Sequence, residues 1–303
     1  MRKEERGKKI LIVGTGALAT LFAARFAKAG TDVTMLGTWQ AAIDALNAKG
    51  VTLIDADGKA ISHSVQAVKN CQHNDLALVL VKSWQTERAA HQLKHCLAPE
   101  GLAITLQNGL GNGEMLASVL GAGRVVQGVT TTGAALVAPG MVRAGGEGLV
   151  SLETHPGLGA FTALLAEAGV QSESVPSAAS LIWSKLVINA AINPLTALLD
   201  IPNGALLQRP TARKLMGALA RETAAVAAAQ NIPLSFDEPV HMVEDVAKKT
   251  SVNFSSMLQD VRRGAPTEIE AICGAIAQVG GKFGIPTPLN ETMMQLIKAR
   301  VAS

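Results

Sequence analysis

Lys9-Ile10-Leu11-Ile12-Val13 is a short apolar run that stops at Gly14-Thr15-Gly16-Ala17-Leu18-Ala19. An alanine-rich apolar stretch continues to about Ala29, closes at Gly30, and gives way to a second apolar run over residues 31–36. Strand, glycine turn, helix, strand is the context that turns a glycine pattern into a dinucleotide site. Gly14 permits the tight turn. Gly16 lets the backbone approach a pyrophosphate resting on the amide N–H groups of Ala17, Leu18 and Ala19 at the helix start. The third glycine position is the small residue Ala19. The competing interpretation is a ligand-free turn that packs helix on strand. An acid after the second strand would select NAD, and an arginine would favour NADP. Here Gly37-Thr38-Trp39-Gln40 offers neither; Thr38 and Gln40 can hydrogen-bond either form.

The remainder of the first half keeps the same alternation. Residues 40–49 read as a helix, and Asp57-Gly58 marks a hairpin turn around 55–58. Residues 76–81 read as a central parallel strand ending in Lys82, which either neutralises a cofactor phosphate or is simply solvated. Residues 101–106 form another strand, ending in Gln107-Asn108-Gly109. Asn108 is either half of an ordinary turn pair or an amide at the ligand crevice. Residues 125–132 and 149–152 read as strands, 161–168 as a helix, and the three glycines in 141–148 as a turn. His155 has no arginine nearby to hold a carboxylate, so a histidine-based hydroxyacid dehydrogenase is not supported.

Near Val175-Pro176-Ser177 the texture changes. Helical periodicity runs from there to the end, broken at Pro202-Asn203-Gly204, Asn231-Ile232-Pro233, Gly264-Ala265-Pro266 and Gly284-Ile285-Pro286. The expected fold is an α/β Rossmann-type dinucleotide-binding domain, residues 1–176, followed by an all-α helical domain, residues 177–303, with a cleft between them. The first helix of the second domain holds Lys185, Asn189 and Asn193 at i, i+4, i+8 in an otherwise apolar segment. That spacing keeps them on one face, drifting by about 40° per step. Pro194 is expected to end or kink this helix. Later, Ser255 or Ser256 suits a helix N-cap and Thr267 with Glu270 a capping box. Glu268 sits in a first helical turn, where an acid is favourable on structural grounds alone.

Composition narrows the classes. The chain has 303 residues, 48% hydrophobic and 17% charged, with a net charge of +3 and no basic stripe interleaved with aromatics. Nucleic acid is therefore not the expected partner. Uninterrupted apolar runs are too short to span a bilayer, and residues 1–9 are charged and lack an apolar signal core. Cys71, Cys96 and Cys273 have no metal-ligand spacing and read as reduced thiols, giving a cytoplasmic expectation and no metal. There is no tyrosine, so a general acid must be Lys, His, Glu or Asp.

Taken together, the glycine turn, Gln107-Asn108-Gly109, the 185–194 segment, and Ser255-Ser256-Met257-Leu258-Gln259-Asp260 with Thr267-Glu268-Ile269 resemble the ketopantoate reductase (2-dehydropantoate 2-reductase) family. The likeness covers nearly the whole chain. It implies NADPH-dependent reduction of ketopantoate to pantoate, on the route to pantothenate and coenzyme A. By position, Lys185 resembles the family's general acid and Glu268 the acid that orients substrate and lysine. Asn108, Asn189, Asn193 and Ser256 resemble substrate-binding groups. Gly14, Thr15, Gly16, Ala17, Leu18, Ala19, Thr38, Lys82, Asn108 and Glu268 fall at cofactor-binding positions. The arginine usual after the second strand is absent, so NADH is also admitted. The alternatives are a reductase of another 2-ketoacid and a catalytically silent dinucleotide sensor. The expected partner is a small 2-ketoacid, not a membrane or nucleic acid, and the assembly a monomer or homodimer.

Overall fold

The structure, a computed structural model, describes residues 8–55 and 57–301. The charged start of the chain before Lys8, and Ala56 at the tip of the expected 55–58 hairpin, lie outside the described residues. Backbone contacts divide the chain into two compact units. One holds the chain up to Gln107 together with Asn112–Ala178; the other holds Asn108–Gly111 and the chain from Ala179 onward.

The first unit runs β1 (Lys9–Val13), α1 (Ala17–Lys28), β2 (Asp32–Leu36), α2 (Gln40–Lys49), β3 (Val51–Ile54), β4 (Ala60–His63), β5 (Gln66–Val68) and β6 (Asn74–Val79). It continues with α3 (Thr86–Cys96), β7 (Leu97–Thr105), α4 (Asn112–Leu120), β8 (Val125–Thr130), β9 (Ala134–Ala138), β10 (Met141–Ala144), β11 (Leu149–Glu153), α5 (Gly159–Glu167) and β12 (Gln171–Val175). The main sheet has the order β12-β11-β8-β7-β6-β1-β2-β5. β1 lies between β2 and β6, parallel to both. Ile10 through Val13 are buried, as expected of a central strand covered on both faces. Because β1 connects onward to β2 on one side while β6 pairs on the other, its carboxyl end is a topological switch point, where open α/β sheets bind ligands. Phe22 packs against Phe26 along α1, and Phe26 meets Phe161 of α5 edge-on in the core.

A second, four-stranded sheet, β4-β3-β10-β9, packs in this unit. It corrects the turn expected over 141–148: Met141–Ala144 is a strand, parallel to β3 and antiparallel to β9. One partner, β3, is far away in sequence, while the other, β9, is the neighbouring strand. A second correction concerns the cysteines. Cys71, after β5, is disulfide-bonded to Cys96 at the end of α3, with Cα atoms 5.7 Å apart. Parallel pairing through β5, β2, β1 and β6 brings the two positions together although 25 residues separate them. Only Cys273 is a free thiol, and it is buried.

The helical unit comprises α6 (Ala179–Leu199), α7 (Pro210–Ala229), α8 (Pro239–Lys249), α9 (Ser256–Arg262), α10 (Ala275–Phe283) and α11 (Pro288–Val301). α6 is its axis. Leu186, Val187, Ala190, Ala191, Ile192 and Leu195 are buried in one cluster with side chains of α7, α8, α9 and α11. Pro194 does not end the helix, which runs on to Leu199. The proline removes one backbone donor, and burial on several sides holds the segment helical across it. By length and composition α6 could also cross a membrane, yet 67% of its apolar window is buried within the protein. α11 begins with its orphan N–H groups satisfied from α7: Leu289 N–H and Asn290 N–H donate to the Glu222 carboxylate at 3.1 and 2.8 Å.

Candidate active site

In the sheet unit the geometry is a backbone cradle. Gly14 has φ +129°, and a Cβ there would lie 2.9 Å from the Leu80 carbonyl oxygen. Its N–H donates to the Leu36 carbonyl at 2.8 Å, tying the turn to the end of β2. Gly16 is the N-cap residue of α1, with extended φ and ψ, no side-chain cap and no acid in the first helical turn. A Cβ on Gly16 would meet nothing within 4 Å. The first N–H groups of a twelve-residue helix therefore carry positive polarity with no side chain capping them. That arrangement fits a pyrophosphate. Ala19 is wholly buried in the core, so its small size serves packing.

Gly37 has its own reason. A Cβ there would fall 2.6 Å from Thr15 Cγ2, so the residue after β2 must be small for Thr15 to seat. The next residue, Thr38, accepts a hydrogen bond from Arg88 Nη2 of α3 at 3.2 Å. Arg88 was missed in the sequence because nothing local connects it to a residue 50 positions away. Lys82 is half-buried at the turn into α3. Below it, Gln107 Nε2 donates to the Val81 carbonyl at 2.9 Å and to Thr86 Oγ1 at 2.8 Å. Thr86 in turn donates to Asn112 Oδ1 at 2.8 Å. This network fixes both ends of the 108–111 excursion.

Asn108–Gly111 itself belongs to the helical unit. Leu110 N–H donates to the Ala271 carbonyl at 3.0 Å. Gly109, at φ +85°, could not carry a Cβ, which would lie 2.5 Å from that same oxygen. The acceptor sits in a π-helical segment, Glu270–Gly274, leading into α10; such widened turns recur at functional sites. The segment also replaces the expected capping box. Thr267 Oγ1 is buried without a partner, and Glu270 pairs instead with Lys298 of α11.

Lys185, Asn189 and Asn193 lie along α6 as their spacing required. Burial pushes the Lys185 ammonium down to about 8, with the Glu268 carboxylate opposing that shift. Glu268 is only 5% exposed and stands at the turn just before the π segment, its carbonyl accepting from Ile272 N–H at 3.1 Å. Asn193 is 7% exposed and Asn189 half-buried. Among the described residues, neither side-chain amide has a hydrogen-bond partner, although partly buried amides normally have one. Ser255, not Ser256, is the N-cap of α9, accepting from Leu258 N–H at 3.1 Å. Ser255 Oγ also hydrogen-bonds Thr196 Oγ1 of α6 at 2.7 Å, which pins α9 one turn beyond Asn193. Ser256 is exposed. The structure thus gathers Lys185, Asn189, Asn193, Glu268, Asn108 and Ser256 on the helical unit, and Gly14 to Ala19, Thr38 and Lys82 on the sheet unit. A concavity of about 370 Å³ lined by Leu207, Arg213, Gly217, Arg221, Val240 and Glu244 contains none of them.

Comparison with known proteins agrees over both units. The family described as ketopantoate reductase PanE/ApbA matches residues 10–157, and its C-terminal counterpart matches residues 178–301. A 2-dehydropantoate 2-reductase of Archaeoglobus fulgidus is 35% identical over 298 residues, covering 97% of this chain and 98% of its own. The crystal structure of a PanE/ApbA family ketopantoate reductase from Ralstonia eutropha JMP134 superposes with a TM-score of 0.90 at 31% identity, over 97% of this chain and 98% of that one. The ternary structure of D-mandelate dehydrogenase with NADH and anilino(oxo)acetate superposes with a TM-score of 0.91 at 25% identity, with the same coverage. The chain belongs to the ketopantoate reductase family, an α/β dinucleotide-binding unit joined to a helical one, and with it to the NAD(P)-dependent oxidoreductases acting on a CH–OH group.

Proposed function

We propose that the protein reduces 2-dehydropantoate to pantoate, in pantothenate and coenzyme A biosynthesis, with Lys185 as the general acid. The observation that carries this chemistry is the Lys185 ammonium, lowered by burial to about 8 while Glu268 favours its charged form. An acid of that strength holds its proton at neutral pH and releases it readily. The dinucleotide, when bound at the Gly14–Ala19 turn, supplies a hydride to the ketone carbon. Lys185 donates a hydrogen bond to the ketone oxygen, stabilises the charge that grows there, and gives it the proton. Glu268 keeps the lysine protonated and oriented. Asn189 and Asn193 offer neutral donors and acceptors that fix the substrate without adding charge; their unshared amides support that role. Ser256 and Asn108 supply further hydrogen bonds to the substrate, and Asn108 and Glu268 also reach the cofactor. Lys82 and Thr38 complete the cofactor set.

The functional division we infer is a dinucleotide-binding part, residues 1–176, and a substrate part, residues 177–303, with Asn108–Gly111 serving the latter. NADPH is the proposed reductant. A cytoplasmic site belongs to the same proposal and rests on the pool of reduced dinucleotide that the reaction draws on, since the Cys71–Cys96 bond removes the reduced-thiol argument for it. Every group named lies on one chain, so either a monomer or a homodimer can carry out the reaction. The test is a steady-state assay with ketopantoate, run with NADPH and NADH in parallel, beside a panel of other 2-ketoacids. Loss of reduced-nicotinamide absorbance fastest with ketopantoate is the expected result; no turnover with either cofactor sinks the proposal. The likeness to D-mandelate dehydrogenase favours one second reading, a bulkier 2-ketoacid on the same lysine, and the panel separates the two.

A further inference from the structure

The turn after β2 lacks both the acid that would hold a ribose diol and the arginine that would hold a phosphate: it reads Gly37-Thr38-Trp39-Gln40. Gly37 is constrained by Thr15, so a side chain cannot easily enter there. The structure nevertheless puts a guanidinium at this point. Arg88 Nη2 donates to Thr38 Oγ1 at 3.2 Å. Arg88 comes from α3, and that helix is secured to the same edge of the sheet along one face. One turn on, Gln92 Nε2 donates to the Lys69 carbonyl at 3.2 Å. A further turn on, Cys96 is bonded to Cys71. Lys69 follows β5, whose Val68 carbonyl accepts from Gly37 N–H at 3.0 Å. Arg88, Gln92 and Cys96, at i, i+4, i+8, therefore form a row of ties between α3 and the carboxyl ends of β2 and β5.

Two further facts bear on what Arg88 does there. Among the described residues it makes no ion pair. The nearest acid in sequence after Thr38 is Asp44, whose carboxylate accepts from Gln40 Nε2 at 2.6 Å. A dinucleotide whose pyrophosphate rests on the turn after β1 brings its adenosine ribose to the end of β2. We propose that Arg88, held beside Thr38, is the residue by which this chain selects a dinucleotide bearing a 2′-phosphate. It supplies from α3 the cation that β2 does not carry. A guanidinium binds a phosphate through paired, charge-assisted hydrogen bonds; a neutral 2′-hydroxyl can accept at most a single, weaker one. The proposal rests on the dinucleotide site argued above.

Isothermal titration of the purified full chain with NADPH, NADH, adenosine 2′,5′-bisphosphate and AMP tests it without turnover. The wild type should bind each 2′-phosphorylated ligand more tightly than its partner, and the advantage should shrink as ionic strength rises. In R88A the affinity for NADPH and for adenosine 2′,5′-bisphosphate should fall about 10- to 100-fold, with NADH and AMP nearly unchanged. R88K should restore part of the loss, since a lysine keeps the charge without the fork. Equal losses for phosphorylated and unphosphorylated ligands, in R88A and R88K alike, would overturn the assignment by making Arg88 structural. A wild type that prefers NADH overturns it and leaves the reductase standing. A wild type that binds none of the four ligands removes both.

Discussion

In the sheet unit, the residues assigned to the cofactor act mostly by what they lack. Gly14 leaves room for the Leu80 carbonyl, Gly16 opens the helix start, and Gly37 makes space for Thr15. In the helical unit the assigned residues act by side chains carried into apolar surroundings: a lysine and two amides on α6, and a buried glutamate before the π segment. In the proposed reading, one unit would bind mainly with backbone and helix polarity, and the other would react through a group whose charge depends on its burial. Substitutions should therefore damage the two in different currencies: affinity and fold in the first, rate and pH dependence in the second.

The sharpest test of that contrast is Lys185→Ala, which should lower kcat by about 10²-fold or more while dinucleotide affinity, read by titration, stays near wild type. Equal losses in rate and cofactor affinity would erase the distinction. The pH profile comes next. As the proposed general acid, Lys185 would need its proton, so activity should fall as pH rises through about 8. Stability should move the other way. The folded lysine is lowered to about 8 and the unfolded one titrates at roughly 10.4, so between these values the unfolded chain binds more protons. The burial cost, full below the folded value, is relieved across that window and stability gains with pH. Glu268→Gln removes the group that raises Lys185 and should move the activity break to lower pH.

For the sheet unit, Gly14→Ala should cost about 1–3 kcal/mol of stability through a strained φ and a clash with backbone, and should weaken NADPH and NADH alike. That uniform loss sets it apart from Arg88. Thermal melts and titration together decide it; an alanine tolerated in both would show that the cradle yields. The smallest effect belongs to Ser255→Ala, which removes the cap of α9 and the bond to Thr196. About 1 kcal/mol is expected, read as a modest drop in Tm; no change would mean that packing alone holds α9.

The features legible in the sequence were those written in local spacing. The glycine turn announced β1, α1 and β2 because a strand, a turn and a helix follow one another within a few residues. The polar stripe of α6 announced itself because helical geometry fixes i, i+4, i+8. What escaped depends on distant partners. β10 joins a sheet by pairing with the distant β3 as well as with its neighbour β9. Cys71 and Cys96 meet only once the parallel sheet has formed. Thr267 and Glu270 have the letters of a capping box, but the π segment and Lys298 draw Glu270 elsewhere. Arg88 reaches Thr38 across the sheet edge, a contact no motif encodes.

α6 has one more consequence, for the chain as it is made. It is a 21-residue segment with a mean hydropathy of 1.3 over its apolar window. The buried partners outside α6 in its cluster, from Ile201 to Ile297, follow it in the sequence, with partly buried Leu110 before it. During synthesis it should therefore leave the ribosome before most of the side chains that cover it exist. Lys185, Asn189 and Asn193 then matter before any substrate does: a lysine and two amides add roughly several kcal/mol to the cost of entering lipid. The side chains proposed for catalysis should thus also disfavour entry of the nascent helix into a bilayer.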